Sequence, residues 1–351
     1  MKEKKKTVAL LYGGEGYEHE VSLKGALTIY PKIDTQRFDK IPILITRSGR
    51  WLTPGIWNGE PPTDEGTKGL FEALPAKRDG IGGFLTEKGF IETHAAFPLL
   101  HGDFGEDGII QGVLENAKIP YVGQDTLTGA HLSDKAYTKA YAERLGISTV
   151  PWIYSVNEDV ESAKRRAEKK LGYPLFIKPA RLGSSVGAGM VICPEQFSGA
   201  FVKASLLGKK RVIIEKAVKI KSELECAYFD AEGKELFTNV GEISTCGGFY
   251  DYESKYGDAH HFEIREKAEI PKELEDEVRA ASKILTRGIG VRDLARIDFF
   301  LSEDGDLFFN EINPMPGFTE GSLYLRLLSH SGISQGRAVN AFIDSALSRL
   351  I

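Results

Sequence analysis

Two short segments near the C-terminal end put charged side chains on otherwise apolar strands: Arg296-Ile297-Asp298 and Glu311-Ile312-Asn313. Strand side chains alternate faces, so Arg296 and Asp298 share one face and Glu311 and Asn313 share another. A hairpin folded across residues 302–305 brings both pairs together. Two carboxylates and an amide oxygen then make a hard-oxygen site of the kind Mg²⁺ prefers, in which a few carboxylates are completed by phosphate oxygens. An outward polar face with an incidental ion pair explains either segment alone. The two together, within apolar strands, weigh against that explanation.

Three further segments carry chemistry. Lys178-Pro179 leads into a loop with Gly183, Gly187, Gly189, Ser184 and Ser185, where backbone N–H groups can approach a polyphosphate. An ordinary flexible hairpin turn has the same composition. The loop matches neither GxxxxGK[ST] nor GxGxxG, so a nucleotide would be held by neither a P-loop nor a Rossmann turn. Ile213-Ile214-Glu215-Lys216 is a strand ending in a carboxylate that could meet an adenine amino group, or an exposed charge pair. His101-Gly102-Asp103-Phe104-Gly105-Glu106-Asp107-Gly108 follows a short apolar strand. Ligands of open α/β sheets gather beyond the carboxyl ends of strands, so His101 either contacts a ligand or satisfies backbone in a tight turn.

The elements that must position these residues follow from periodicity. Residues 7–12, 41–45 and 97–100 read as strands, 22–30 as a helix capped by Ser22, and 108–116 as a second helix. Strands alternating with helices imply an α/β layer with a mainly parallel sheet. A helix is expected over 133–145, a strand over 152–156 and a charged helix over 158–171 closed by Gly172. Strands 175–178 and 190–193 form an antiparallel hairpin around the glycine-rich loop, and 211–215 is a further strand. Later strands fall at 224–229, 236–243, 295–301 and 306–313, with a helix over 272–287. Residues 55–80, rich in Gly, Pro and charge, read as a surface insertion.

With 351 residues, two or three domains are expected. The division is 1–123, 124–215 and 216–351. Net charge is −5 with both signs interspersed, which leaves no basic field for a nucleic-acid backbone. No apolar run is long enough to span a membrane, and the segment before Gly13-Gly14 is too short for a signal peptide. The three cysteines, Cys193, Cys226 and Cys246, form neither a zinc pattern nor a disulfide framework and suit a reducing cytoplasm.

Taken together, the segments resemble the D-alanine–D-alanine ligases of the ATP-grasp superfamily over nearly the whole chain. The resemblance is carried by Gly13-Gly14 with Glu18-His19-Glu20-Val21-Ser22, by His101-Gly102 with Gly105-Glu106-Asp107-Gly108, and by Asp134-Lys135. It continues through Lys178-Pro179, Gly183-Ser184-Ser185, residues 249–256, Arg296-Ile297-Asp298, Asn310-Glu311-Ile312-Asn313 and Pro316-Gly317-Phe318-Thr319. The fold it implies is an N-terminal α/β domain, a central antiparallel-sheet domain and a C-terminal α+β domain.

The resemblance also implies roles. Lys135, Lys178, Glu215, Lys216 and Glu223 would hold ATP between two β-layers, and Lys255 would steady the transferred phosphoryl group. Asp298, Glu311 and Asn313 would bind two Mg²⁺ (or Mn²⁺). Glu18 and His101 would meet the first D-alanine, while Ser322 and Leu323 would line the site of the second. Arg296 and the N–H of Gly317 would face the oxyanion. Hydrogen bonds would link Glu18, Ser184 and Tyr256, the last at the end of a lid over 250–256. Gly16 and Pro314 depart from the residues usual in the family, and 219–222 is one residue longer.

The implied reaction joins two D-alanines to D-alanyl-D-alanine through a D-alanyl phosphate, for peptidoglycan precursor synthesis. The enzyme would be a cytoplasmic homodimer. Rival readings are a D-alanine–D-serine or D-alanine–D-lactate ligase, another carboxylate–amine ligase, or a non-catalytic ATP-binding module.

Overall fold

The computed structural model describes residues 5–245 and 262–349. The expected lid, with Lys255 and Tyr256, lies outside the described residues.

The chain opens with β1 (Lys6–Gly13), whose apolar run is buried from Thr7 onward. β1 pairs in parallel with β2 (Phe38–Ile45) on one side and β7 (Ala95–Leu99) on the other. This parallel centre is extended by antiparallel neighbours, β3 (Trp51–Thr53), β4 (Phe71–Arg78), β5 (Ile81–Thr86) and β6 (Gly89–Glu92), in the order β6-β5-β4-β3-β2-β1-β7. The stretch 55–80 is therefore more than a surface insertion. Its second half is β4, where Phe71 and Ala73 are buried and Glu72 and Leu74 are exposed, the period of a half-buried strand. Its first half receives hydrogen bonds from the core, Tyr12 Oη to Pro62 O at 2.7 Å and Tyr30 Oη to Trp57 O at 2.6 Å.

Helix α1 (His19–Ile29) starts before Ser22, with Glu18 at its N-cap position. Ser22 does not cap it. Its buried Oγ accepts from Gly13 N at 2.8 Å and donates to Leu99 O, stitching the helix to the ends of β1 and β7. α2 (Ile109–Asn116) follows Gly108 as expected. The helix expected over 133–145 is α4 (Lys135–Arg144), and a shorter helix that was not expected, α3 (Thr126–Ser133), precedes it. Asp134 breaks them apart because its carboxylate caps α4, accepting from Ala136 N at 3.1 Å.

A four-stranded antiparallel sheet follows, in the order β10-β9-β11-β8. Its strands are β8 (Trp152–Val156), β9 (Leu175–Pro179), β10 (Gly189–Val191) and β11 (Arg211–Lys216). Leu175, Ile177, Val212 and Ile214 on one face pack with Ala163 and Ala167 of α5 (Val160–Lys170) and with Phe197 and Phe201 of α6 (Pro194–Leu207). α5 runs into Gly172 at φ 63°, the left-handed conformation that ends a helix readily.

The second antiparallel sheet has the order β14-β13-β12-β15-β16. It comprises β12 (Ile220–Ala231), β13 (Lys234–Thr245), β14 (Phe262–Arg265), β15 (Leu294–Ser302) and β16 (Leu307–Asn313). Leu224, Cys226, Ile297 and Phe299 pack against Val278 and Leu285 of α7 (Lys272–Ile289), in a core shared with Leu132 of α3 and Ala142 of α4. On the opposite face, Ala227, Phe229 and Leu294 are covered by α8 (Leu323–His330) and α9 (Gln335–Leu347). That core also takes in Leu10, Phe97 and Leu99, so the first and last parts of the chain are welded by apolar contact.

Gly13 ends β1 with φ 93°, and a Cβ there would lie 2.2 Å from Ile45 O. Gly13→Ala is predicted to destabilise the fold by at least about 2 kcal/mol through strain and this clash. Thermal unfolding checks it, and an unchanged midpoint would show that the β1–β2 edge relaxes freely.

Candidate active site

The site lies where the second faces of the two antiparallel sheets meet. On β15 and β16, Arg296 pairs across with Asn313 and Asp298 with Glu311, so the four expected residues share one face. Between Asp298 and Phe299 the register shifts. This bulge lets Phe309 enter the core while Asn310 and Glu311 both reach the site, contacting Lys178 and Lys135 respectively. Asp298 accepts from Arg296 at both oxygens, 2.8 Å each, and from Asn313 Nδ2 at 2.8 Å. Burial opposes the Arg296 charge, but Asp298, Glu225 and Glu311 outweigh it and hold the guanidinium well above its ordinary pKa.

The facing sheet contributes Lys178 and Glu215, neighbours on β9 and β11, with Nζ to Oε2 at 2.9 Å. Lys139 reaches the other oxygen of Glu215 at 3.0 Å. Burial alone would raise the Glu215 carboxyl, yet the two ammonium groups bring it down to about 2. Lys139, fully buried, is pushed downward by its own desolvation. Helix α4 spans the seam: Lys135, one turn before Lys139, meets Glu311 Oε2 at 3.1 Å and Leu182 O at 2.8 Å.

Lys216 behaves otherwise. Alternation along β11 puts it on the face opposite Glu215, and its ammonium caps the carbonyls of Gly172 and Tyr173 at 3.2 and 2.8 Å. The structure does not bring its side chain into the site. Glu223 does fall on the site face, two residues from Glu225. The β12–β15 register shifts between Ile220 and Ser222, and from Ser222 onward the pairing is regular.

The N-terminal part closes the site from the side. Ser184, at φ 52°, donates to Glu18 Oε1 at 2.6 Å, making one of the two links expected of this trio. His101 Nδ1 faces Met315 O at 3.0 Å, so Nδ1 carries the proton and the buried Nε2 is left as an acceptor with no partner among the described residues. Burial pushes the His101 pKa down, keeping the ring neutral. Glu106 accepts from Gly102 N at 2.7 Å and from Met315 N at 3.2 Å. Burial, and then the charge of Glu18, push its carboxyl up to about 8. Met315 is thus held at its N–H by Glu106 and at its carbonyl by His101, two residues before Gly317. Ser322 caps back onto Gly317 O. Leu323 is 5% exposed and packs toward Gly241 of β13.

Sequence reasoning missed Lys139, Glu225 and the part played by Glu106. Lys139 is four residues after Lys135 on a helix, and Glu225 is two after Glu223 on a strand, so both periodicities pointed to them.

The donor set fits divalent cations. Asp298, Glu311 and Asn313 offer hard oxygens on one face, and both carboxylates are already balanced by cations of the chain, Arg296 and Lys135. A second cluster of metal-ligand types, His19, Glu20 and Asp64, does not fit as well. Both ring nitrogens of His19 face oxygens, of Gly14 and Asp64, and Glu20 pairs with Arg47.

Two antiparallel sheets clasping lysines and carboxylates, behind an α/β layer, define the ATP-grasp class. Residues 7–124 match the family model "D-ala D-ala ligase N-terminus", and residues 141–344 match "D-ala D-ala ligase C-terminus". The D-alanine–D-alanine ligase of Deinococcus radiodurans is 38% identical over 349 residues, covering 98% of this chain and 99% of the relative. That of Mycolicibacterium smegmatis is 38% identical over 362 residues, covering 97% and 95%. Among solved structures, the VanG D-Ala:D-Ser ligase from Enterococcus faecalis superposes with a TM-score of 0.87 at 34% identity, covering 98% of this chain and 100% of that one. The D-alanine–D-alanine ligase from Coxiella burnetii gives 0.86 at 25% identity, with 99% and 95% covered. The chain belongs to the D-alanine–D-alanine ligase family.

The state of Glu106 sets a pH test. A carboxyl raised to about 8 from an ordinary 4.5 binds its proton more tightly folded than unfolded. Stability is therefore intact below the unfolded value and falls as pH rises toward the folded one. Glu106→Gln, which cannot ionise, is predicted to flatten the fall in melting temperature between about pH 5 and 8. A variant-minus-parent difference that stays constant across this range would refute the shift.

Proposed function

We propose that this protein uses ATP to join two D-alanines, with release of ADP and phosphate. The observation that carries the reading is the register of Arg296, Asp298, Glu311 and Asn313 on one face, opposite Lys178 and beside Lys135 of α4.

A carboxylate repels an attacking amine, so the first D-alanine must be activated. Its carboxylate oxygen attacks the γ-phosphorus, the bond to the β-phosphate oxygen breaks, and an acyl phosphate and ADP result. Such a transfer is mostly positioning and charge neutralisation. Lys135 and Lys178 can meet the phosphates by exchanging their carboxylate partners for phosphate oxygens. Glu215, at the end of its strand, can accept from the adenine amino group, and Glu223 lies on the same side for the ribose. Two Mg²⁺ (or Mn²⁺) held by Asp298, Glu311 and Asn313 would neutralise charge on the transferred group.

The first substrate is oriented by acceptors. Glu18 and the lone pair of His101 Nε2 both suit its ammonium group. The amine of the second D-alanine then attacks the acyl carbon, and phosphate leaves through a tetrahedral oxyanion. Arg296 and the N–H of Gly317 are the donors for that charge, and loss of one such donor typically costs about 3 kcal/mol. Support for D-alanine over D-serine in the second position comes from the aliphatic Leu323 beside Ser322. The reaction belongs to peptidoglycan precursor synthesis, in the compartment that holds ATP.

Two measurements test the proposal. An ADP-release assay over D- and L-amino acids and D-lactate should give D-alanine the highest kcat/KM at the second position. D-serine should be poorer by roughly 10², the discrimination an apolar pocket achieves against an added hydroxyl. AMP as product, or a higher value for D-serine or D-lactate, would refute it. Glu311→Gln should lower turnover by at least about 10²-fold, since several kcal/mol of charge stabilisation goes with the cations. Near-normal turnover at modest Mg²⁺ would remove the metal assignment.

A further inference from the structure

Arg296 faces two carboxylates. Its Nε and a terminal nitrogen donate to the two oxygens of Asp298, while Glu225 Oε2 lies 2.9 Å from the same Nε. Glu225 is 3% exposed and is the cross-strand partner of Asp298 on β12. Glu225, Asp298 and Glu311 thus form one row of carboxylates across three neighbouring strands.

Asp298 cannot serve two masters in full. An oxygen lone pair aimed at a divalent cation is withdrawn from an N–H donor, and a guanidinium 2.8 Å away repels that cation. If Asp298 turns to a metal, the two-point fork on Arg296 is lost. A buried guanidinium needs another acceptor, and Glu225 already lies within reach of Nε without any movement of the strands.

We propose that Glu225 is a positioning residue that takes over Arg296 when Asp298 binds the metal. It keeps the guanidinium aimed at the oxyanion and keeps its charge from competing for the metal ligand. The proposal rests on the metal reading above. It predicts that Glu225 and Arg296 act on metal affinity as one unit.

The test is Mn²⁺ binding to the full chain with a non-hydrolysable ATP analogue, followed by electron paramagnetic resonance. Glu225→Gln should weaken Mn²⁺ binding by about tenfold, the lower end for a residue that supports a metal ligand. Arg296→Met should bind Mn²⁺ at least as tightly as the parent. Adding Glu225→Gln to Arg296→Met should change nothing further, because no guanidinium remains to compete. Equal weakening in both backgrounds would mean that Glu225 acts through its charge alone and would overturn the proposal. Unchanged affinity in Glu225→Gln would overturn it as well. Glu311→Gln separates the two levels: if Mn²⁺ binding survives that change, the metal reading falls and takes this proposal with it. Should Arg296→Met fail to fold, arginine side-chain ¹⁵N spectra decide. The Arg296 Nε–H should stay protected from exchange when Mg²⁺ and the analogue are added to the parent, and lose protection in Glu225→Gln. Equal protection in both contradicts the takeover.

Discussion

A charge taken out of water must meet its opposite, and the seam between the two antiparallel sheets is built on that constraint. Lys139 and Glu215 are nearly inaccessible, and Lys178, Asp298 and Glu225 are almost as deep. Each ion brought to such a place loses several kcal/mol of hydration, and removing one partner of a buried pair typically costs 3–5 kcal/mol because the other is stranded. The sheets are tied directly by Lys178 to Asn310 and, with α4 as the strut, by Lys139 to Glu215 on one side and Lys135 to Glu311 on the other. Polyphosphate and divalent cations entering such a seam would exchange partners with charges already in place. The reorganisation that a flexible site would need has been done during folding.

The same constraint explains which parts of the site could be read from the sequence. Arg296, Asp298, Glu311 and Asn313 were legible because strand alternation and one tight hairpin fix their faces locally. Strict alternation, however, would put Phe309 and Glu311 on the same side, and they are not. The bulge that separates them answers a tertiary demand: an aromatic ring must enter the core while its neighbours reach lysines on other elements. No local pattern encodes that. Ser22 misled for a related reason. Its hydroxyl suits a helix cap, but the ends of β1 and β7 offered it a buried N–H and carbonyl, and that competition is settled by packing. β4 was hidden because Gly and Pro in the first half of 55–80 masked four residues of clean alternation in the second.

The α/β layer was legible in its parallel centre, where residues 8–12 of β1, 41–45 of β2 and 95–99 of β7 are continuous apolar runs buried on both faces. The antiparallel flank was not, since β3 has three residues and β6 four, too few to show a period. α6 escaped for want of a strong stripe; its buried side chains are chiefly Phe197, Phe201 and Ala204, spaced like one narrow ridge.

How the parts are joined bears on how the site works. The N-terminal layer and helices α8 and α9 share an apolar core, so Glu18, His101 and Gly317 are fixed relative to one another. The sheet β8–β11 has its own core with α5 and α6. Its links to the N-terminal layer are polar: Ser184 to Glu18, Arg181 to Asp107 and Lys209 to Asp103. Exposed ion pairs of the last kind are worth under about 1 kcal/mol, far less than a shared core. Among the described residues, the N-terminal layer therefore holds this sheet by polar contacts alone, while the second antiparallel sheet and α4 hold it through the buried charges of the seam. Ser184 sits in the glycine-rich loop proposed to meet the phosphates, and Glu18 is the residue proposed to meet the first amino acid. The Ser184–Glu18 hydrogen bond thus joins the two segments proposed to carry the two substrates, and it couples the nucleotide side of the proposed site to its amino-acid side through a single contact.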